Sequence, residues 1–254
     1  MKSVRKSKSK GKPQRPDPHE LEGDRVDHRE QLVNEGRSGP VELVSIPADM
    51  VTALLAIMLD VDPKFIAPEL IGDGKGTVGF RLYKQLVANW LDHDPLFKKA
   101  EVRHSGTGVH VLFRFDRPVE FQSVGDRQRW QGVVKAIQSA IPTDPTAPGI
   151  TALTRPVGST NSKNGKVVKV LRPGTPVTAD EVLDFYGRLR SKPFLTVARL
   201  LFGTDRVSPC PVCKGKGRNL AAGDRVGHCY GGCGKVGLAD LLGTFMTQQP
   251  GGED

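Results

Sequence analysis

No stretch of the chain approaches the roughly 18 consecutive apolar residues a helix needs to cross a bilayer, and the apolar share is a modest 37%. A soluble, cytoplasmic protein with no membrane partner is expected. Cysteine is scarce, with all four residues lying between Cys210 and Cys233. Acid is missing from the first sixteen residues, where Lys2, Arg5, Lys6, Lys8, Lys10, Lys12 and Arg15 stand unopposed. Pro13, Pro16 and Pro18 follow that basic segment where a secretory signal would place its apolar core, so no signal peptide is expected. A G-x-x-x-x-G-K-[ST] loop is also lacking; Gly72-Asp73-Gly74-Lys75-Gly76-Thr77 resembles one only superficially. Any unwinding of duplex would have to come from a separate helicase. There is no internal repeat.

The net charge is +9, and the seven cations of the basic start account for most of it, leaving +2 for the remainder. Residues 1–40 are charged and rich in turn formers, and cannot bury enough apolar surface to offset their ordering entropy. They are expected to be a disordered basic tail, either simply solubilising or drawn to phosphate backbones by counterion release. The 254 residues, with 29 Gly and 19 Pro, suit one loop-rich domain and a small appendage.

The apolar run from Ala48 predicts a short helix leading into a buried strand at Leu54 to Val61. Phe80, Leu82, Tyr83, Leu86, Val87, Trp90 and Leu91 recur at helical spacing. Ala100–His104 and Val109–Phe115 read as strands joined by a tight Ser-Gly-Thr-Gly turn. Helices are expected over Asp126–Ile141 and Ala179–Leu189, with a strand at Val167–Leu171 between them. Strands interrupted irregularly by helices indicate an α+β fold.

Asp60 and Asp62 are two apart on a strand, so both project from one face. Like charges so placed are unfavourable unless a cation neutralises them, and Mg²⁺ or Mn²⁺ takes carboxylates together with substrate phosphates. Alone, such a triplet is usually a solvated loop end. Gly106 and Gly108 flank Thr107 in a turn whose backbone can approach a ligand closely and aim free amides at phosphate oxygens. His110 then opens an apolar strand; standing alone it would read as a hydrogen-bonded structural histidine. Asp144 follows the second helix. Arg155, Gly158, Ser159, Asn161 and Lys163 form a basic turn, with Arg155 and Lys163 supplying cationic charge and Ser159 and Asn161 able to fix the loop or bond to a ligand.

Cys210-x-x-Cys213 and Cys229-x-x-x-Cys233, fifteen residues apart, match a tetrahedral Zn²⁺ site far better than disulfides. A module this small needs the metal in order to fold. Lys214, Lys216, Arg218 and Arg225 nearby would add DNA contact. His228 is read as structural, since four thiolates complete the coordination.

In order and spacing, the acids, the glycine turn entering His110, Asp144 and the Arg155-x-x-Gly158-Ser159-x-Asn161-x-Lys163 stretch resemble the archaeo-eukaryotic primase superfamily, including the primase-polymerases of plasmids and phages. The resemblance covers residues 48–171. The cysteine segment is similar to the zinc-binding domain of bacterial primases, though Cys213 stands where a histidine is usual and the last pair is one residue wider. The resemblance implies a primase-like core of mixed or antiparallel sheet with flanking helices, plus a small C-terminal zinc ribbon. It places the core at 41–192, the ribbon at 193–245 and a disordered tail at 246–254. It further implies that Asp60, Asp62 and Asp144 hold Mg²⁺ or Mn²⁺, and that Ser105, His110, Arg155 and Lys163 position a nucleoside triphosphate. The implied activity is nucleotidyl transfer on single-stranded DNA in plasmid, phage or mobile-element DNA replication. A non-catalytic initiator or single-stranded DNA-binding protein on the same fold is the alternative. A zinc-ribbon transcription regulator would leave the acid and histidine series unexplained.

Overall fold

The structure, a computed structural model, describes residues 47–215 and 219–247. The basic tail expected over 1–40, residues 41–46, Lys216, Arg218 and residues 248–254 lie outside them. The α+β expectation holds, with the strands of the main sheet pairing antiparallel.

A short 3-10 turn, Ala48–Met50, enters β1, Ala53–Val61. A second 3-10 turn, Pro63–Phe65, follows, and then α1, Pro68–Ile71. Helix α2, Val78–Leu82, runs through a π turn at Tyr83–Val87 into α3, Ala88–His93. The helix read from residues 80–91 is therefore real but wound more loosely in its middle. Next come α4, Pro95–Lys98, β2, Glu101–His104, and β3, Val109–Glu120. Helix α5, Val124–Gln138, precedes a long irregular stretch that ends in β4, Lys169–Arg172. Helix α6, Ala179–Ser191, opens on a capping box between Thr178 and Glu181.

The main sheet has the order β1-β3-β2-β4. One face carries Ile57, Leu59 and Val61 of β1, opposite Phe113, Val111 and Val109 of β3, all buried. The helices cover this face, and Phe97 fixes the layer spacing by packing 5.0 Å from Phe113 and 5.1 Å from Phe185. Burying several such aromatic and branched side chains, at about 1.5–3 kcal/mol each, holds the layers together.

Helix α7, Pro193–Phe202, went unread in the sequence. It buries Phe194, Val197, Ala198, Leu200 and Leu201, and its Leu200 carbonyl pairs with His93 Nδ1 at 3.0 Å. At its start the Phe194 amide donates to the Asp224 carbonyl, 3.1 Å away. It thus ties the main core to a second, smaller sheet of four strands in sequential order: β5, Arg206–Val207, β6, Leu220–Ala222, β7, Gly227–Cys229, and β8, Gly234–Val236. After α8, Leu238–Gly243, the chain returns to the segment just beyond Asp62. The Ala67 amide donates to Phe245 O at 2.9 Å, and the Thr247 amide donates to Phe65 O at 3.0 Å. Among the described residues, no helix is long and apolar enough to cross a membrane.

Candidate metal and phosphate site

Register places the site. Asp60 of β1 pairs with His110 of β3, and His110 pairs with Arg103 of β2. The three lie in one row across the sheet, on the face opposite the helical layer. Residues 154–155 lie over this row: Thr154 Oγ1 is 2.8 Å from His110 Nδ1, and Arg103 donates to the Arg155 carbonyl at 3.3 Å.

Asp62, one step past the end of β1, caps the Pro63–Phe65 turn by accepting the Lys64 amide at 3.0 Å. Asp144 joins the free edge of β1: its amide donates to the Asp60 carbonyl at 2.8 Å. Its carboxylate accepts the Thr146 amide at 2.8 Å and the Thr146 hydroxyl at 2.6 Å. Lys64 Nζ lies 3.7 Å from Asp62 and 3.8 Å from Asp144, bridging two of the acids.

The crowding shifts the acidity of both Asp60 and His110. Burial first, then the charges of Asp62 and Asp144, raises the Asp60 carboxyl from 3.8 to about 6, against the opposing pull of Lys64 and Arg155. Burial, with Arg155 and Arg103, holds His110 down to about 4, so it is a neutral donor–acceptor at physiological pH. The three carboxylates are hard oxygen donors of the kind a divalent cation takes. Their oxygens are spread more widely than the thiolates described below.

The glycine turn is held as a rigid piece. The Ser105 amide donates to Gly108 O at 3.0 Å, and buried Asn161 donates its Nδ2–H to Ser105 O at 2.7 Å. Gly108 passes against the end of β1, where a Cβ would meet Val61 O at 2.5 Å and Pro63 Cδ at 2.9 Å. Gly106 has φ +113, and a Cβ there would run into Asn161 Nδ2. Asn161 therefore clasps the turn to the next loop, and Ser159 donates to Pro156 O at 2.7 Å. Lys163 stands exposed near the tip of the hairpin made by Thr160 and Val167.

Arg103, Thr154, Lys64 and His104 are marked by no motif of their own in the sequence. Arg103 alternates with Glu101 along β2 and is held by it; Glu101 also pairs with Arg114 at 3.2 Å. His104 points through the opposite face. Its Nδ1 accepts the Gly106 amide at 3.2 Å, which leaves the proton on Nε2, 2.9 Å from Thr77 Oγ1.

At the ribbon the four cysteines converge, each offering a sulfur within 4.8 Å of the others. The pairs Cys210–Cys233 and Cys213–Cys229 are 4.0 and 3.8 Å apart. A tetrahedron of about 2.3 Å Zn–S bonds has edges of roughly 3.8 Å. Amide donors at Cys233 and Gly231 lower the Cys229 thiol to about 6, while the crowded sulfurs, Cys213 foremost, push Cys233 up to about 12. Four sulfurs this close cannot all ionise without a cation, so the donor set fits zinc. His228 stays exposed on β7, stacked edge-on at 4.9 Å against Tyr230.

No protein-family model matches the chain, and no curated protein does. Among solved structures it is similar to the AEP domain of the primase-polymerase of cyanophage S-2L, at 17% identity and a TM-score of 0.39. That match covers 54% of this chain and 63% of that domain.

Proposed function

We propose that this chain is a DNA primase or primase-polymerase that extends a strand on a single-stranded DNA template by nucleotidyl transfer from nucleoside triphosphates. The observation that carries the reading is the row Asp60–His110–Arg103 across three adjacent strands, with Asp62 and Asp144 at its acidic end. Negative charge at one end and donors at the other is the polarity a metal-bound triphosphate requires.

Asp60, Asp62 and Asp144 would hold Mg²⁺ or Mn²⁺, which supplies charge neutralisation at the reacting phosphate and its leaving group. The neutral His110, fixed through Nδ1 by Thr154, presents its other ring nitrogen to the phosphates. Arg103 and Arg155 add cationic charge beside it, and Lys163 extends that charge outward. Asn161 and Ser159 hold the loops that carry these groups. A strand's 3′-hydroxyl oxygen forms the new bond to the α-phosphorus, the α–β bridge breaks, pyrophosphate leaves, and the hydroxyl proton passes to water. Zinc in the ribbon would hold that module in shape beside the acids.

The test is primer synthesis on single-stranded DNA with labelled nucleotides, Mg²⁺ or Mn²⁺, and the Asp60→Asn/Asp62→Asn protein alongside. Products made by the wild type and lost in the variant support the reading. Products made equally by both would sink the assignment of the acids. Binding without synthesis by the wild type would favour a non-catalytic DNA-binding role.

A further inference from the structure

On the side of the sheet away from the acids, a pocket of about 430 Å³ opens between the start of α2 and the edge strand β4. Arg103 and His104 are successive residues of β2, so Arg103 faces the acidic site while His104 lies in this pocket. Phe80, Val167 and Leu171 form apolar walls, and the exposed Lys166 and Lys169 stand at the rim. No acid is among its described lining residues. Lys84 Nζ lies 5.0 Å from the centre of the Phe80 ring, adding a third cation. The polar floor is already oriented: Thr77 Oγ1 faces the protonated Nε2 of His104 at 2.9 Å and accepts the Phe80 amide at 3.3 Å. With its lone pairs so used, the Thr77 hydroxyl is left as a donor.

An aromatic wall, a hydroxyl donor and cations at the mouth are complementary to a flat heteroaromatic ring that carries an anion. We propose that this pocket takes one base of a single-stranded nucleic acid, stacked on Phe80, with the adjoining phosphates on Lys166 and Lys169. Stacking joined to a cationic rim is how single strands are held without sequence preference. The site extends the reading above by adding a hold on the template behind the glycine turn, but its geometry does not depend on the acids.

The test uses the full chain and a fluorescein-labelled twelve-nucleotide single strand, with anisotropy read across salt concentrations. Lys166→Gln/Lys169→Gln, both at exposed positions, should weaken binding and reduce the salt slope by about 1.4, because two phosphates are no longer neutralised. Phe80→Ala should weaken binding roughly tenfold with the slope unchanged. A strand carrying bromodeoxyuridine should crosslink at Phe80. Wild-type affinity and slope in the lysine variant would overturn the proposal. So would a Phe80→Ala protein that binds the strand as tightly as wild type, or a wild type that binds the strand without any crosslink at Phe80. If the wild type binds strands through Phe80 yet incorporates nothing, the pocket stands and the polymerase reading falls.

Discussion

Asp60 and His110 stand opposite each other in the β1–β3 ladder, with His110 Nε2 3.9 Å from Asp60 Oδ1. That is too long for a hydrogen bond, and each group is shifted toward its neutral form, Asp60 up to about 6 and His110 down to about 4. Their effects on stability oppose each other. Between 3.8 and about 6 the folded state binds more protons at Asp60 than the unfolded state, so that contribution falls as pH rises. Between about 4 and 6.5 the folded state binds fewer at His110, so that contribution grows as pH rises. Without Mg²⁺ or Mn²⁺ but with zinc in place, these two contributions should largely cancel in the wild type, leaving the rise with pH that His104, also held low by burial, supplies. Asp60→Asn should leave a rising slope and His110→Gln a falling one, each worth up to about 3 kcal/mol. Urea denaturation at stepped pH reads both.

Lys64 lies between Asp62 and Asp144, where it would compete with a divalent cation held by these acids. Lys64→Met should tighten Mg²⁺ or Mn²⁺ binding several-fold by titration calorimetry, while Asp60→Asn should weaken it at least tenfold. In the wild type, affinity should fall as pH drops through about 6, where a proton takes Asp60. Tighter binding in Lys64→Met is the informative result, because a lysine that merely propped the loop would give the opposite.

Gly108→Ala should destabilise the fold by about 2–3 kcal/mol, because its Cβ would lie 2.5 Å from the Val61 carbonyl, a backbone atom that cannot swing aside. Gly158→Ala, where a Cβ meets nothing within 4 Å, bears only the cost of its φ of +86 and should lose about 1 kcal/mol. Thermal melts of the two variants check the order.

Purified protein should carry one Zn²⁺ per chain, exchangeable for Co²⁺ with the absorption bands of a tetrahedral thiolate site. Cys213→Ser or Cys229→Ser should abolish that spectrum and lower the melting temperature, as should a chelator. Zinc content unaffected by either substitution would refute the cysteine assignment.

The elements with strong local signals were legible: β1 from its apolar run, the β2–β3 hairpin from its glycines, and the cysteine pairs from spacing alone. What stayed hidden depends on pairing across the chain. Arg103 sits beside His110 only through β2–β3 register, which one strand's sequence does not encode. Asn161 could either fix its loop or bond to a ligand on sequence alone; 4% exposure and a bond to Ser105 O show it holding two loops together. Lys64 carries no signal in the sequence, because Asp144, its second partner, is eighty residues away. Helix α7 was missed because a ten-residue, mostly apolar run cannot be told from a buried strand by periodicity alone.

The return of Phe245 to Thr247 onto Phe65 and Ala67 has a consequence for how the protein is made. The Thr247 hydroxyl also reaches the Lys64 carbonyl, at 3.1 Å, so the peptide carrying the cation between the acids is held by residues translated about 180 positions later. At roughly 5–20 residues per second, a nascent chain has Asp60 and Asp62 outside the ribosome many seconds before these bonds can form. The acidic end of the sheet can thus take its final form only after residues 245–247 have been made.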